Sequence, residues 1–482
     1  MWRLVFGWVI FSFSSALLAV DTPPLQLSLP EAIALSVREN PNVEVADLNH
    51  VMQKFALHVQ QWEFSPHYSF NVTRTNTRGS SDGISSANKL TTIQPAVSLQ
   101  TSIGTQVSLT SVNNLSTNYN PALTVEIAQP LMRGFGQAIV EAALNDAEDN
   151  EVISRLNIEG SLRTTVTAVI GAYLGVVSAT QTVALDEASV KRAEDSVRQT
   201  RLFIKAGHKA GNELVTVEAD LANTQTTLEN DKNNLDQARY ALLAAIGIDP
   251  NTPVVFSSLD VKALIEKFHE PTLIDAEDLI LENDIQYQTD QITLAGATTR
   301  SLQIAEDNTR WQLNAAGTAT VGGGGGGGPN AGLNSLHNGY NQSQSIQLSL
   351  TIPIDDQVAA EGVVNAKIAL REAKLALKQE KWNKQTSVIN AWNTVHSAER
   401  ALVFAEKADV LQHKTYDLSY QKYLYGLIDS IALQSVQVQL IATGQAKVSA
   451  QINYLNALAN LDLLTGRTLL TWNIPMRASD TL

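Results

Sequence analysis

The chain has 482 residues, a net charge of −14 and no cysteine. The lack of cysteine excludes disulfides, thiolate metal sites and a cysteine nucleophile, and the acidic balance argues against nucleic acid as a partner. A mean hydropathy of −0.06 argues against a bundle of membrane helices. Aromatic residues make up only 6% of the chain, which suits long packed helices better than a thick core.

The N-terminus predicts a secretory signal. Arg3 supplies a positive charge, residues 4–18 are mostly apolar, and Ala16 and Ala19 are small enough to precede a cleavage site. We therefore expect a signal peptide over residues 1–20 and an exported mature chain.

The remaining sequence contains one helical unit twice. Nine residues between Gly207 and Gly247 recur without a gap 219 positions later, between Gly426 and Gly466. Several of them are three and four residues apart, as on one face of a helix. A duplication of this kind predicts a pseudo-symmetric structure.

Each copy of the unit is expected to contain a helix, strands, a long helix, a tight turn and a returning helix. The first copy spans residues 25–247, with strands over about 66–129 and a long hairpin over about 138–247. A linker follows over 248–272. The second copy spans 273–470, with strands over about 311–353, a hairpin over about 359–466, and a tail over 471–482.

The first helix is expected to begin with the segment Leu29 to Leu35, because Pro30 and Glu31 suit the first turn of a helix. Its counterpart in the second copy is expected over about 276–307. Each long hairpin helix, of some 65 residues, would be about 100 Å long. Helices of this length with small apolar residues require partners, so we expect them to pack against further copies of the chain.

Apolar residues alternate with polar ones after Pro66, which indicates strands. Four strands are predicted in the first copy, over about 66–76, 92–102, 105–113 and 120–129, with a turn at Ile103–Gly104. Polar loops are predicted over 76–89 and at the seven consecutive glycines 322–328, the latter as a mobile surface loop. Several short two-faced strands in an exported chain favour an outer-membrane barrel over a soluble β-subdomain.

The order of these elements resembles that of TolC-type outer-membrane efflux and secretion channels. The resemblance extends over residues 25–470 and includes the opening segment Leu29 to Leu35 with Glu39–Asn40–Pro41. It also includes the junction 129–136 (Gln-Pro-Leu-Met-Arg-Gly-Phe-Gly) and the duplicated glycine turns.

The resemblance implies a mainly α-helical fold with a β-barrel segment, in which three chains form one outer-membrane barrel and a periplasmic tunnel of twelve helices. It implies a passive conduit in the bacterial outer membrane, in contact with outer-membrane lipid. The partners would be a periplasmic adaptor protein and an inner-membrane RND or ABC transporter. No catalysis and no cofactor are expected. The cargo remains open among drugs, metals and proteins.

The sequence departs from the family in its strands. Four strands in the first copy give six per chain, against the usual four. A trimeric barrel would then have eighteen strands instead of twelve, unless the added pair folds over the barrel rim.

The tip of the tunnel also departs from the family, where acidic residues six and nine positions after the second glycine narrow the passage. Here those positions hold Ala432 and Ser435, so we consider Glu213 and Asp429 as candidates for the gate and for cation selectivity. The alternative is that both carboxylates only solvate an exposed turn. Tyr423 matches a tyrosine that helps to hold such tips closed, or else packs as an ordinary helix residue.

The two predicted turns are also the expected docking site of the adaptor. The candidate residues are Gly207, Ala210, Leu214, Gly426 and Leu433. Other classes fit less well. No catalytic motif is present, a substrate-specific porin would lack the four long helices, and an exported coiled-coil adhesin would not interrupt its helices twice with strands.

Overall fold

The computed structural model describes residues 25–81, 84–115, 119–256, 261–268, 270–323, 329–339 and 341–475. The predicted signal peptide and the glycines 324–328 lie outside the described residues.

The first copy of the unit begins with two short helices and continues into four strands and a long helical hairpin. Its elements are β1 (Leu25–Leu27), α1 (Leu29–Glu39), α2 (Pro41–Trp62), β2 (His67–Ser81), β3 (Ile84–Gln100), β4 (Gln106–Leu115), β5 (Asn120–Pro130), α3 (Gln137–Val140), α4 (Ala142–Lys205) and α5 (Asn212–Ile246). The predicted opening helix, the four strands, the glycine turn between β3 and β4, and the hairpin are confirmed.

The second copy follows a short connection and repeats the order with two strands instead of four. Its elements are β6 (Val254–Phe256), α6 (Val261–Lys267), α7 (Leu273–Asn283), α8 (Ile285–Thr293), a π-helical turn (Leu294–Thr298), α9 (Thr299–Asn308), β7 (Gln312–Gly322), α10 (Pro329–Asn338), β8 (Gln342–Thr351), α11 (Gln357–Leu424), α12 (Ser430–Leu464) and α13 (Thr468–Thr471).

Helix α1 begins with a capping box that the sequence analysis missed. The backbone amide of Ser28 donates to the Glu31 carboxylate over 2.8 Å, and Pro30 occupies the first turn. The Ser28 hydroxyl donates to the same carboxylate over 2.6 Å, and this bond, together with the weaker effect of the backbone bond, lowers the pKa of Glu31. The cap satisfies amides that the helix itself leaves unpaired.

Six described strands form one antiparallel sheet in the order β2-β3-β4-β5-β7-β8. The strand β4 is paired on both sides, by β3 and by β5, so the extra pair β2–β3 continues the sheet. Separately, β1 and β6 form a short parallel pair. Within one copy the added pair therefore stays in the sheet, which speaks against the alternative that it folds over the barrel rim.

The loop predicted over 76–89 is wrong in part. The segment 76–89 is mostly strand, because Asn76 pairs with Lys89 and the ladder continues to Ser81 and Ile84. Almost all residues of this segment are polar, so its sequence shows no alternation of apolar and polar residues. Its backbone nevertheless forms strand pairs. After the glycine run, the chain forms the helix α10 instead of continuing as a loop.

The sheet joins the first hairpin at the segment 131–136, which the sequence analysis identified as a junction. Gly134 and Gly136 have φ angles of 78° and 101°, which favour glycine. The buried carboxylate of Asp307 accepts the Gly134 amide over 2.7 Å. This contact ties the exit from β5 to the end of α9.

The main apolar core lies among α1, α4, α5, α11 and α12. Tyr173 on α4 is buried, donates its hydroxyl to the Leu27 carbonyl over 3.3 Å, and meets the ring of Phe256 edge-on. Among the described helices, α4 alone has a stretch long and apolar enough to cross a bilayer. Val166 and Leu174 on α4 are completely buried and belong to the core.

The ends of the two repeats pack alike. Gly247 and Gly466 have φ angles of 93° and 74°. The side-chain amide of Asn40 donates to the Ala245 carbonyl over 2.7 Å, and the side-chain amide of Asn283 donates to the Thr465 carbonyl over 3.1 Å. Each returning helix is therefore fastened to the short helices that open its own repeat.

Candidate functional site

The two hairpins turn with the same backbone geometry. Gly207 and Gly426 have φ angles of 76° and 71°. The His208 amide donates to the Phe203 carbonyl over 2.9 Å, and the amide at Leu427 donates to the carbonyl five residues before it over the same distance. Each long helix thus ends in a Schellman-type turn that requires a left-handed residue. We call these turns, residues 206–211 and 425–429, the two tips.

A fully buried tyrosine joins the two tips. The Tyr423 hydroxyl lies 2.9 Å from the Thr200 hydroxyl, and the Phe203 ring meets the Tyr423 ring edge-on with centroids 5.8 Å apart. The Lys209 ammonium lies 4.3 Å from the centroid of the same ring, within the range of a cation–π interaction. The tyrosine therefore contacts the first hairpin through its hydroxyl and through its ring.

Glu213 also bridges the tips. Its carboxylate accepts from the Lys209 ammonium over 2.7 Å and from the Ser430 hydroxyl over 3.0 Å. Two turns further along, the Gln434 amide donates to the Asp220 carboxylate over 2.6 Å. The Glu213 carboxylate is thus half-buried and ion-paired in the single chain, which is more than solvation of an exposed turn.

Asp429 has a different position. Its carboxylate caps α12 by accepting the Ala432 amide over 2.7 Å, while the residue itself remains exposed. The corresponding helix start in the first hairpin, at Gly211, has no side-chain cap. The structure therefore brings Glu213 and Tyr423 together through Lys209. Asp429 lies at the edge of the groove between the two tips.

The residues predicted to dock the adaptor lie on and under the tips. Gly207, Ala210 and Gly426 are exposed, Leu214 is half-buried, and Leu433 is only 1% exposed. Leu433 therefore supports the tip from inside and is not part of its surface. A groove of about 620 Å³ lies between the tips. Exposed apolar residues at this end include Tyr425, Leu427 and Ile431.

Sequence reasoning missed Thr200, Lys209 and Ser430. Thr200 and Ser430 have partners in the other hairpin, more than 200 residues away. Lys209 contacts the Tyr423 ring there in addition to Glu213 in its own hairpin. No local motif marks them, because the duplicated pattern aligns equivalent residues instead of residues in contact.

At the other end of the long helices, the sheet has one apolar and one polar face. Paired residues share a face, and one row across the sheet is Tyr68, Val97, Leu109 and Val125. We define the apolar face by the following residues: Tyr68, Phe70, Val72, Val97, Leu99, Val107, Leu109, Leu123, Val125, Ile127, Val321, Ile346, Leu348 and Leu350.

The opposite face is lined by hydroxyl and amide side chains. We define this polar face by Ser69, Asn71, Thr73, Ser98, Ser108, Thr110, Thr124, Glu126, Thr318, Thr320, Ser345, Gln347 and Ser349. The hydroxyls of Thr124 and Thr320 lie 3.1 Å apart on it. An apolar face that suits lipid and a polar face that suits water are the requirements of a transmembrane barrel strand.

The described residues contain no group of three or more histidine and carboxylate side chains placed to hold a metal ion. The chemistry available at the tips consists of hydrogen bonds, ion pairs and ring contacts, which can hold two helical ends together or release them.

Long paired helices with joined tips, continuing into a two-faced sheet, define an outer-membrane channel with a periplasmic helical part. The family comparison agrees, since the model of the family "Outer membrane efflux protein" matches residues 90–248 and 301–467, more than half of the chain. The chain belongs to this family of efflux channels, which are not enzymes.

Solved channels have the same fold. The Campylobacter jejuni outer membrane channel CmeC is 12% identical with a TM-score of 0.68, covering 91% of this chain and 86% of that one. VceC of Vibrio cholerae is 12% identical with a TM-score of 0.69, over 93% and 97%. The open state of MtrE of Neisseria gonorrhoeae is 16% identical with a TM-score of 0.68, over 92% and 89%. A comparison with curated proteins found no match.

Family and fold together confirm the TolC-type resemblance and the location in the bacterial outer membrane, with the helices in the periplasm. The adhesin and porin alternatives are set aside, because both family matches contain a long helical hairpin.

Proposed function

We propose that the chain is the outer-membrane channel of a tripartite efflux system or of a type I secretion system. It would be a passive conduit that receives substrates from an inner-membrane RND or ABC transporter through a periplasmic adaptor. The observation that carries the proposal is the pair of joined tips at one end of helices about 100 Å long, with the two-faced sheet at the other end.

The proposal includes assembly as a homotrimer. Helix α2 exposes Val45, Leu48, Met52, Phe55, Val59 and Trp62. These residues are spaced by three and four in a heptad pattern, which is the pattern of a helix that packs against another helix. On α11, Phe404, Leu411 and Leu418 are exposed at intervals of seven. One chain leaves these faces in contact with water, and further copies would cover them.

We also propose that the bonds between the tips hold the periplasmic entrance closed. Tyr423, Thr200, Lys209 and Glu213 would form the closed arrangement, and separation of the hairpins would open it. Glu213 and Asp429 would set cation preference, because three copies would bring their carboxylates around one axis. The substrate would be selected mostly by the transporter.

Adaptor docking at the tips is the fourth part of the proposal. The groove between the tips and the exposed Tyr425 and Leu427 offer a partly apolar surface to an adaptor hairpin. The chain lacks cysteine, so a single introduced thiol is a unique attachment point.

Site-directed cross-linking in cells tests this docking. Ala210→Cys and Leu427→Cys place the thiol on the two tips, while Asp429 stays intact because it caps α12. Asn233→Cys, an exposed position about 30 Å along α5, is the control. We expect the tip variants to capture a periplasmic adaptor and the control to capture none. If the three positions capture the same proteins, or if the tips capture none, the docking proposal is wrong.

A further inference from the structure

The two edges of the six-stranded sheet are complementary to each other. Within the described residues, β2 has a partner only on its β3 side, and β8 has a partner only on its β7 side. All ten residues of β8 are exposed in the single chain, including the apolar Ile346 and Leu348. An unpaired apolar edge inside a membrane is unstable, so each edge requires a strand from another chain.

We infer that each copy of the chain contributes all six strands to the barrel, and that β8 of one copy pairs with β2 of the next. The inference rests on the proposed homotrimer, which would then have an eighteen-stranded barrel. A twelve-stranded barrel would need β4 as the edge strand of each copy, but β4 already pairs with β3 from Ile93 to Gln100.

Strand direction permits this closure. The five pairings between neighbouring strands are all antiparallel. With six strands, β2 and β8 therefore run in opposite directions. Antiparallel pairing continues around the barrel without a parallel junction, and all ten residues of β8 can pair with β2, which has fifteen.

The two-faced pattern restricts the register. Tyr68, Phe70 and Val72 lie on the apolar face of β2, and Ile346, Leu348 and Leu350 lie on the apolar face of β8. Because side chains alternate between faces, a shift by one residue would place one of these groups inside the pore.

The helices α2 and α11 determine which of the remaining registers between β2 and β8 is used. Four residues separate the end of α2 from the start of β2, and five separate the end of β8 from the start of α11. Because these connections are of similar length, the first residue of β2 and the last residue of β8 lie at the same height along the barrel axis. This places His67 opposite Thr351. The inferred pairs are then Tyr68–Leu350, Phe70–Leu348 and Val72–Ile346 on the apolar face, and Ser69–Ser349, Asn71–Gln347 and Thr73–Ser345 on the polar face.

The closure determines the width of the exit. For a strand spacing near 4.8 Å and a tilt near 40°, eighteen strands give a barrel radius of about 18 Å, against about 12 Å for twelve. The barrel would be a wide polar exit, and the tips would remain the narrow part of the passage.

Cysteine pairs in the otherwise cysteine-free chain test the inference. Ser69→Cys combined with Ser349→Cys places two thiols opposite each other across the inferred contact between copies. Within one copy the two edges are about 20 Å or more apart, beyond the reach of a disulfide. Oxidation of isolated outer membranes should therefore convert most of the protein into covalent trimers, whereas each single variant should remain monomeric on a denaturing gel.

Two matched pairs complete the test. Ser69→Cys with Leu348→Cys places the thiols on opposite faces and should give no trimer. Ser69→Cys with Gln347→Cys is shifted by two residues, and trimers from it alone would overturn the stated register. Trimers from Ser108→Cys with Ser349→Cys, and none from any β2 pair, would mean that β8 meets β4 and would overturn the six-strand closure. Electron microscopy distinguishes failure of this inference from failure of the proposed function. A three-fold particle with a twelve-stranded barrel would contradict this inference alone. A particle without three-fold symmetry would contradict the proposed function as well.

Discussion

The hydroxyls of Thr200 and Tyr423 lie 2.9 Å apart, although 223 positions separate the two residues in the chain. Both residues are completely buried. Thr200 lies five residues before the end of α4, and Tyr423 lies in the last turn of α11. This bond therefore joins the two hairpins of the duplicated unit just behind their tips. Release of the tips must break it.

Tyr423→Phe removes this bond and keeps the ring contacts with Phe203 and Lys209. We expect the closed arrangement to lose about 1 kcal/mol, which is about a five-fold change in the ratio of closed to open tips. Single-channel recording should show more frequent openings, and cells should become more sensitive to large antibiotics that enter through an open channel.

Thr200→Val is the matched control, because it removes the other hydroxyl at similar volume. The double variant should behave like either single variant, since both changes remove the same bond. Additive effects of the two changes, or an unaltered conductance in Tyr423→Phe, would contradict a role of this bond in closure.

Asp429→Asn separates charge from structure at the second tip. Asparagine caps a helix about as well as aspartate, so α12 should keep its start, whereas Asp429→Ala should lose about 1 kcal/mol of capping. We expect Asp429→Asn and Glu213→Gln each to reduce the preference for cations, measured as the reversal potential in a salt gradient.

The effect of each variant on the closure of the tips provides the control. Glu213→Gln should also weaken closure, because it exchanges an ion pair with Lys209 for a neutral contact, whereas Asp429→Asn should leave closure unchanged. Unchanged cation selectivity in the variant that combines both changes would rule out these carboxylates as the selectivity ring.

The glycines that follow the C-terminal ends of α4 and α5 should differ in their response to alanine. Both Gly207 and Gly247 have positive φ angles, which cost an alanine about 1 kcal/mol. A Cβ at Gly207 would meet no atom within 4 Å, but one at Gly247 would lie 2.8 Å from the backbone of Glu39 and Asn40. We expect Gly247→Ala to lower the melting temperature clearly more than Gly207→Ala does. Equal effects would mean that the close packing on Asn40 contributes nothing.

Asp186, on the helical part of the first hairpin, should make stability depend on pH. Burial, followed by the hydrogen bond and charge of Asp231, raises the pKa of Asp186 from 3.8 to about 7. The folded chain therefore binds a proton that the unfolded chain has lost between about pH 4 and 7. The contribution to stability is full below pH 4, falls as the pH rises through this window, and is lost above pH 7.

Asp186→Asn removes this dependence. The urea midpoint of the variant should change less between pH 4.5 and 7.5 than that of the parent chain. Glu187→Gln, at the exposed neighbouring position, should keep the parent's dependence. A urea midpoint that falls as strongly between pH 4.5 and 7.5 in Asp186→Asn as in Glu187→Gln would contradict the raised pKa.

Most of the fold could be predicted because its signals are local. The apolar alternation at Val97 and Leu99 marks a strand, and the glycines at 207 and 426 mark turns that only a left-handed residue permits. The duplication strengthened the prediction of the two hairpins, because the same helix–turn–helix order occurs twice in the chain.

The tips could be predicted only in part. Tyr423 and Glu213 were identified from their distance to a glycine, but Thr200 and Lys209 were not, because their roles arise from packing between hairpins. The strand pairing over 76–89 was missed for a related reason. Its polar residues pair through the backbone, and backbone pairing leaves no trace in the side-chain pattern.

Electron microscopy of the detergent-extracted protein is the most direct test of the trimeric channel. The account predicts a three-fold particle with a hollow helical tube about 100 Å long, narrowed at the tips, and a barrel in which each copy contributes six strands. A monomer, or a solid rod without a lumen, would contradict the channel.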